Sequence, residues 1–124
     1  MSEEMGKTTK PPTEGLSTCR LYVRDASGRI LQEADLREGT YSIGRSDSND
    51  VMINDTYVSR THASLYVQSN QVEVLDANST GGTFVDGVEV TSRTQVTANQ
   101  RIQIGDHYLT ISQNEQSGLS LNSG

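Results

Sequence analysis

Tryptophan is absent from this chain of 124 residues, and phenylalanine and cysteine occur once each. A single thiol, Cys19, can close no intramolecular disulfide and cannot build a cysteine-based zinc site. Within CRLYV it is expected as an inert buried thiol, with a redox switch as the lesser reading. Histidine is nearly as scarce. His62 and His107 have no partners at ligand spacing, so neither a metal nor any other cofactor is expected. No apolar run approaches membrane-spanning length. The opening MSEEMGKTTKPP lacks the apolar stretch of a signal peptide. A cytoplasmic protein away from membranes is therefore expected, as a whole chain or as a piece of a longer one. Positive charge is also short. Ten Lys and Arg stand against sixteen Asp and Glu, a net charge of −6. Nucleic acid is excluded as a partner, because its phosphate backbone needs a basic stripe. A local basic spot can still hold one phosphate group.

A helical period is missing too: no stretch of ten residues repeats its apolar positions every 3.6. Short β-type runs take its place. They read CRLYV at 19–23, RILQEA at 29–34, TYSIG at 40–44, VMI at 51–53, HASLYV at 62–67, QVEVLD at 71–76, TFV at 83–85, VEV at 88–90, TQV at 94–96, RIQIG at 101–105 and HYLTI at 107–111. About eleven short strands at close spacing predict an all-β sandwich of two twisted, largely antiparallel sheets. Asp86-Gly87 is the strongest hairpin signal, since both residues tolerate the positive φ of a type I′ turn. Residues 1–17 and 114–124 are polar and cannot bury enough surface to offset their ordering entropy. A domain over 18–113 with a disordered N-terminal tail and a flexible C-terminal tail is expected.

Polar loop residues gather in GRSDSND (44–50), NDTYVSRTH (54–62) and DANSTGG (76–82). The strand at 51–53 spans only ~10 Å, so Arg45 and Ser59-Arg60 can share one ligand. Arg45 and Arg60 offer planar donor forks, Ser59 and Thr80 offer hydroxyls, and Gly81-Gly82 let backbone N–H groups approach closely. That set suits a phosphate dianion of about −1.5 to −2 charge. Each residue also has a plainer reading. Arg45 can pair with Asp47 or Asp50, Ser59 can bond its own turn, and the glycines can simply turn the chain.

The three segments together resemble the forkhead-associated (FHA) domain. That family carries a Gly-Arg, then a Ser-x-x-His, then a loop of the form Asp-x-x-Ser-Thr-Asn-Gly-Thr-Phe-Val-Asn-Gly. Here stand Gly44-Arg45, Ser59-Arg60-Thr61-His62 and the run from Asp76 to Gly87, in the same order. The likeness is close from Tyr41 to Val90. It implies a sandwich whose loops converge at one end to bind phosphothreonine peptides. By position, Arg45 and Ser59 contact the phosphate, with Arg60 and Thr80 as further contacts. Gly81 and Gly82 sit in the loop that meets the peptide backbone. His62 braces the loops, and Gly44 gives the turn that aims Arg45. One departure stands out. The family's asparagine before Gly-Thr-Phe is Gly81 here, which removes a bond to the peptide backbone.

The resemblance thus implies a phosphothreonine-dependent interaction module tied to a Ser/Thr kinase. The alternative is an FHA-type scaffold that binds its partner without phosphate, which the loss at Gly81 favours. An enzyme is not expected. Ser59, His62 and Asp76 are the residue types of a hydrolytic triad, but no G-x-S-x-G elbow accompanies them. Thr8, Thr9 and Thr13 are candidate phosphorylation sites. Some bacterial members of the family fold such a phosphorylated tail back into their own site.

Overall fold

The computed structural model describes residues 19–69 and 71–113. Among the described residues eleven strands form: β1 (Cys19–Arg24), β2 (Ile30–Leu36), β3 (Gly39–Gly44), β4 (Val51–Met52), β5 (Ala63–Gln68), β6 (Gln71–Asp76), β7 (Thr83–Val85), β8 (Val88–Glu89), β9 (Thr94–Val96), β10 (Ile102–Ile104) and β11 (His107–Gln113). They make two sheets. One has the order β9-β6-β5-β3-β4 and the other β2-β1-β11-β10-β7-β8. Every pairing is antiparallel except β3 with β4, where Ile43 lies opposite Val51. The expected all-β sandwich is what forms. The expected tails, with Thr8, Thr9 and Thr13, lie outside the described residues.

Alternation decides which residues meet in the middle. Leu21 and Val23 of β1, Leu65 and Val67 of β5, Val72 and Val74 of β6, Ile102 and Ile104 of β10, and Leu109 and Ile111 of β11 are all buried. Each such side chain contributes about 1.5–3 kcal/mol relative to exposure. Cys19 joins them as a buried side chain. Residues between these point outward. On the six-stranded sheet they place Arg24 opposite Tyr108, Tyr108 opposite Gln103, and Gln103 opposite Phe84. The Asp86-Gly87 turn has φ of 49° and 84° at its two residues, as a type I′ hairpin requires. The Asp86 carboxylate also accepts the Arg101 N–H at 3.0 Å, which ties that hairpin to β10.

Four connections collect at one end of the sandwich: 45–50, 53–62, 77–82 and the tight turn at 105–106. Polar contacts hold them to one another, and Ile53 and Val58 anchor the 53–62 connection in the core.

Candidate functional site

Gly44 ends β3 against the Arg60 carbonyl. A Cβ there would overlap that carbonyl carbon and oxygen and press the Asn49 amide. Its φ is not positive, so the expected turn at this position is not what selects glycine. Closeness of two backbones is. The tight approach lets Arg45 N–H donate to Ser59 O at 2.9 Å and Ser46 N–H to Arg60 O at 3.2 Å. Asn49 Nδ2 adds a bond to Arg60 O at 2.6 Å. The 45–50 loop is thereby zipped to the segment carrying Ser59.

His62 is fully buried. Ser59 N–H donates to its Nδ1 at 3.0 Å, so Nδ1 carries no proton and Nε2–H faces the Gly82 carbonyl at 2.8 Å. One neutral ring thus links the second recognition loop to the third. Its backbone does the same work: His62 N–H donates to Ile43 O and Ala77 N–H to His62 O, both at 2.8 Å. Through ring and backbone His62 therefore bonds to β3 and to both loops.

Asp76 organises the third loop. Its Oδ1 accepts the Ser79 and Thr83 hydroxyls at 2.5 and 2.6 Å, and Oδ2 accepts the Ser79 N–H at 2.9 Å. Ser79 Oγ in turn accepts the Gly82 N–H at 2.9 Å. Burial pushes the Asp76 carboxyl up, but the bonds from Ser79 and Thr83 outweigh it and hold the group below its ordinary value. These contacts leave no hydrolytic triad. His62 Nδ1 meets the Ser59 amide rather than its hydroxyl, and Asp76 bonds Ser79 and Thr83.

Around this frame the ligand-facing groups line a cleft of about 590 Å³. Arg45, Ser59, Thr80 and Gly81 all reach it. The Arg45 Nε donates to Val58 O at 2.9 Å, which fixes the side chain and leaves its terminal nitrogens unpaired among the described residues. Ser59 Oγ accepts the Thr80 N–H at 3.1 Å, so its own proton remains to be donated. Arg60 and Gly82, also expected at the ligand, do not line the cleft. Arg60 is exposed and serves through its carbonyl, and Gly82 serves as partner of His62. Gly82 needs its φ of 86°, and a Cβ there would crowd the Phe84 ring.

The other wall was only partly legible in the loop pattern, which named 54–62 but not Gln103 or the turn at 105–106. It consists of Thr56, Tyr57, Val58, Phe84, Gln103, Gly105 and Asp106. Asp55 holds it together. Its Oδ1 accepts Tyr57 N–H at 2.8 Å, and its Oδ2 accepts Asp106 N–H and faces His107 Nδ1, each at 3.0 Å. Burial raises the Asp55 carboxyl, yet the bonds from the Tyr57 and Asp106 amides and from His107 leave it below its ordinary value. Gly105 has φ of 61° and no room for a Cβ beside Asp55 and Val58. The sequence reading placed Gly105 at the end of the strand at 101–105. Nothing local signalled that it packs against a loop about fifty residues earlier.

The FHA domain family model matches residues 41–105, more than half of the chain. This chain belongs to the FHA family. FhaB of Mycobacterium tuberculosis is 34% identical over 70 residues, which is 56% of this chain and 45% of FhaB. The chain thus spans less than half of that relative's length. Among solved structures, the FHA domain of CT664 from Chlamydia trachomatis is similar with a TM-score of 0.72 and 27% identity, covering 79% of this chain and 99% of that one. Mycobacterium tuberculosis EmbR, solved in complex with a low-affinity phosphopeptide, is similar with a TM-score of 0.65 and 27% identity, over 77% of this chain and 24% of EmbR. FHA domains are interaction modules, and the cleft of this one lies where its three family motifs meet. No helix among the described residues is long and apolar enough to cross a membrane.

Proposed function

We propose that this FHA domain acts in the cytoplasm and binds phosphothreonine-containing protein segments at the cleft, within Ser/Thr kinase signalling. One observation carries the reading. An exposed guanidinium at Arg45, its terminal nitrogens unpaired among the described residues, and a donating hydroxyl at Ser59 face one cleft from a frame that needs no ligand to hold it. Such preorganisation lowers the ordering cost of binding. Arg45 supplies charge-assisted bonds, and Ser59 supplies a neutral one. The phosphopeptide seen with EmbR supports the same use here. A second reading, a partner taken without phosphate, rests on Gly81, which presents no side chain to a peptide backbone. The tail threonines Thr8, Thr9 and Thr13 extend the proposal: phosphorylated, one of them competes for the same cleft with the advantage of a tether.

Titration with a phosphothreonine peptide and its unphosphorylated twin separates the two readings. Binding of the first alone supports phosphate dependence, and equal binding supports the second. Arg45→Ala should cost at least about tenfold in phosphopeptide affinity, the value of a lost charge-assisted hydrogen bond. The amide spectrum should otherwise keep its native dispersion. Unchanged affinity would remove Arg45 from the site.

A further inference from the structure

We infer that the outer face of the six-stranded sheet is a second contact surface, one that takes carboxylates of the same partner segment. The inference rests on the cleft holding the phosphothreonine, and it adds a partner chemistry: acidic residues several positions away from that threonine.

The cleft does not stop at the loops. Phe84 and Gln103 line it, and both belong to the outward face of the sheet. From there the strand register runs Phe84, Gln103, Tyr108, Arg24 on successive strands. Three steps of ~4.8 Å make about 14 Å. An extended chain covers that in about four residues. A segment leaving the cleft over Phe84 therefore meets Arg24 about four residues later.

What it meets there is a pair of ring-stacked guanidiniums. Arg101 lies over the Tyr108 ring at 4.8 Å from its centroid, and Arg24 lies by the Tyr22 ring at 5.5 Å. Neither guanidinium pairs with a carboxylate among the described residues, although the chain is strongly acidic. Arg20 and Arg93, by contrast, are each neutralised by neighbours at 2.6–2.8 Å. Ring contacts hold both guanidiniums in place, and Arg24 is held further by its bonds to Thr110 Oγ1 at 3.3 Å and Gly28 O at 3.1 Å, which leave other N–H groups to meet a carboxylate. Two tyrosines and the only phenylalanine share this face, and aromatic residues and arginine are the types enriched at interfaces. Nearer the phosphate the sign reverses, because Asp106 lines the cleft. Carboxylates directly beside the phosphothreonine are disfavoured, while carboxylates beyond Gln103 are welcomed.

The test uses three synthetic probes on the whole chain. One is a short neutral phosphothreonine peptide. The others lengthen it, at one end or the other, by about eight residues ending in a run of glutamates. At low salt one of the two extensions should bind about threefold to tenfold more tightly than the short peptide. The gain should fade as salt rises. In the double variant Arg24→Gln, Arg101→Gln the gain should vanish while the short peptide keeps its affinity. No gain from either extension overturns the proposal, and so does a gain that survives in the double variant. Should the short peptide fail to bind, the phosphothreonine reading falls by itself. The amide shifts of Tyr22, Arg24 and Tyr108 with the acidic peptides then decide this surface alone: movement supports it, and no movement overturns it.

Discussion

His62 and Asp55 each tie separate segments together at the loop-bearing end of the sandwich, one on either wall of the cleft. His62 is a neutral ring sealed from water, with one nitrogen accepting and the other donating. Asp55 is an anion whose side chain is 8% exposed and which takes two amides and a histidine nitrogen. The first wall carries Arg45, Ser59 and Thr80. The second carries Tyr57, Val58, Gly105 and Asp106. The difference is one of bonding. The neutral ring offers one acceptor and one donor and so joins two loops directly. The carboxylate can only accept, so it gathers N–H groups from separate segments, as Asp76 gathers donors within the third loop.

Removing each hub should expose that difference. His62→Ala leaves Ser59 N–H and Gly82 C=O unpaired in a sealed space. The cost should be about 3 kcal/mol, taking ~1–3 kcal/mol for each orphaned group. A thermal melt of wild type and variant reads it directly. Phosphopeptide affinity should fall too, because Ser59 and Thr80 lose their common support. An unchanged melting point with lost binding would instead make His62 a group that touches the ligand.

That wall was the one written in the sequence. Gly44-Arg45, the Ser-x-x-His and the run from Asp76 to Gly87 are contiguous motifs, because each is one loop whose bonds are mostly local. Ser79 reaches Asp76 three residues back, and Ser59 reaches His62 three residues on. The strands were legible for a similar reason: alternation such as Leu21, Val23 or Val72, Val74 records which face is buried. The reason for Gly44 was not legible, since only the fold brings the Arg60 carbonyl against it. Asp55 escaped altogether. Its partners Asp106 and His107 are 51 and 52 residues away, and no short pattern records such a contact.

Asp55→Asn should cost somewhat less than the loss of His62, about 2 kcal/mol, because asparagine keeps one acceptor oxygen but turns its NH2 toward the Tyr57 or Asp106 amide, whose N–H is left unpaired. Hydrogen exchange sharpens the contrast. The Tyr57 and Asp106 amides should open faster, while those of Ser59 and Gly82 should keep their protection. Equal loss on both walls would mean that the hubs form a single unit.

Acid should act on the two walls together, because each contains a carboxylate held below the ordinary aspartate value of 3.8, Asp55 on one and Asp76 on the other. A depressed folded pKa contributes stability that is fully present above the ordinary value. It is lost as pH falls through the folded values, which lie lower. These two groups therefore predict a flat melting temperature from neutrality down to about pH 4 and a decline below it. In Asp55→Asn the decline should be shallower, as only the Asp76 share remains. A steep loss well above pH 4 would assign acid sensitivity to other groups.

The smallest expected change lies where the two walls nearly touch. Gly81 faces Tyr57 across the cleft, and a Cβ on it would meet only the Tyr57 carbonyl, at an ordinary 3.4 Å. Its φ is not positive, unlike that of Gly82. An asparagine therefore fits at Gly81 without strain, and its amide can reach a peptide backbone lying in the cleft. Gly81→Asn should tighten phosphothreonine-peptide binding by about 0.5–1.5 kcal/mol, the worth of one neutral hydrogen bond, or roughly threefold to tenfold. Gly82→Asn provides the control. The left-handed backbone and the Phe84 ring oppose a side chain there, so that variant should lose stability and gain no affinity. Weaker binding by Gly81→Asn would show that the space between Gly81 and the Tyr57 carbonyl is itself used by the partner, and that the glycine keeps it open.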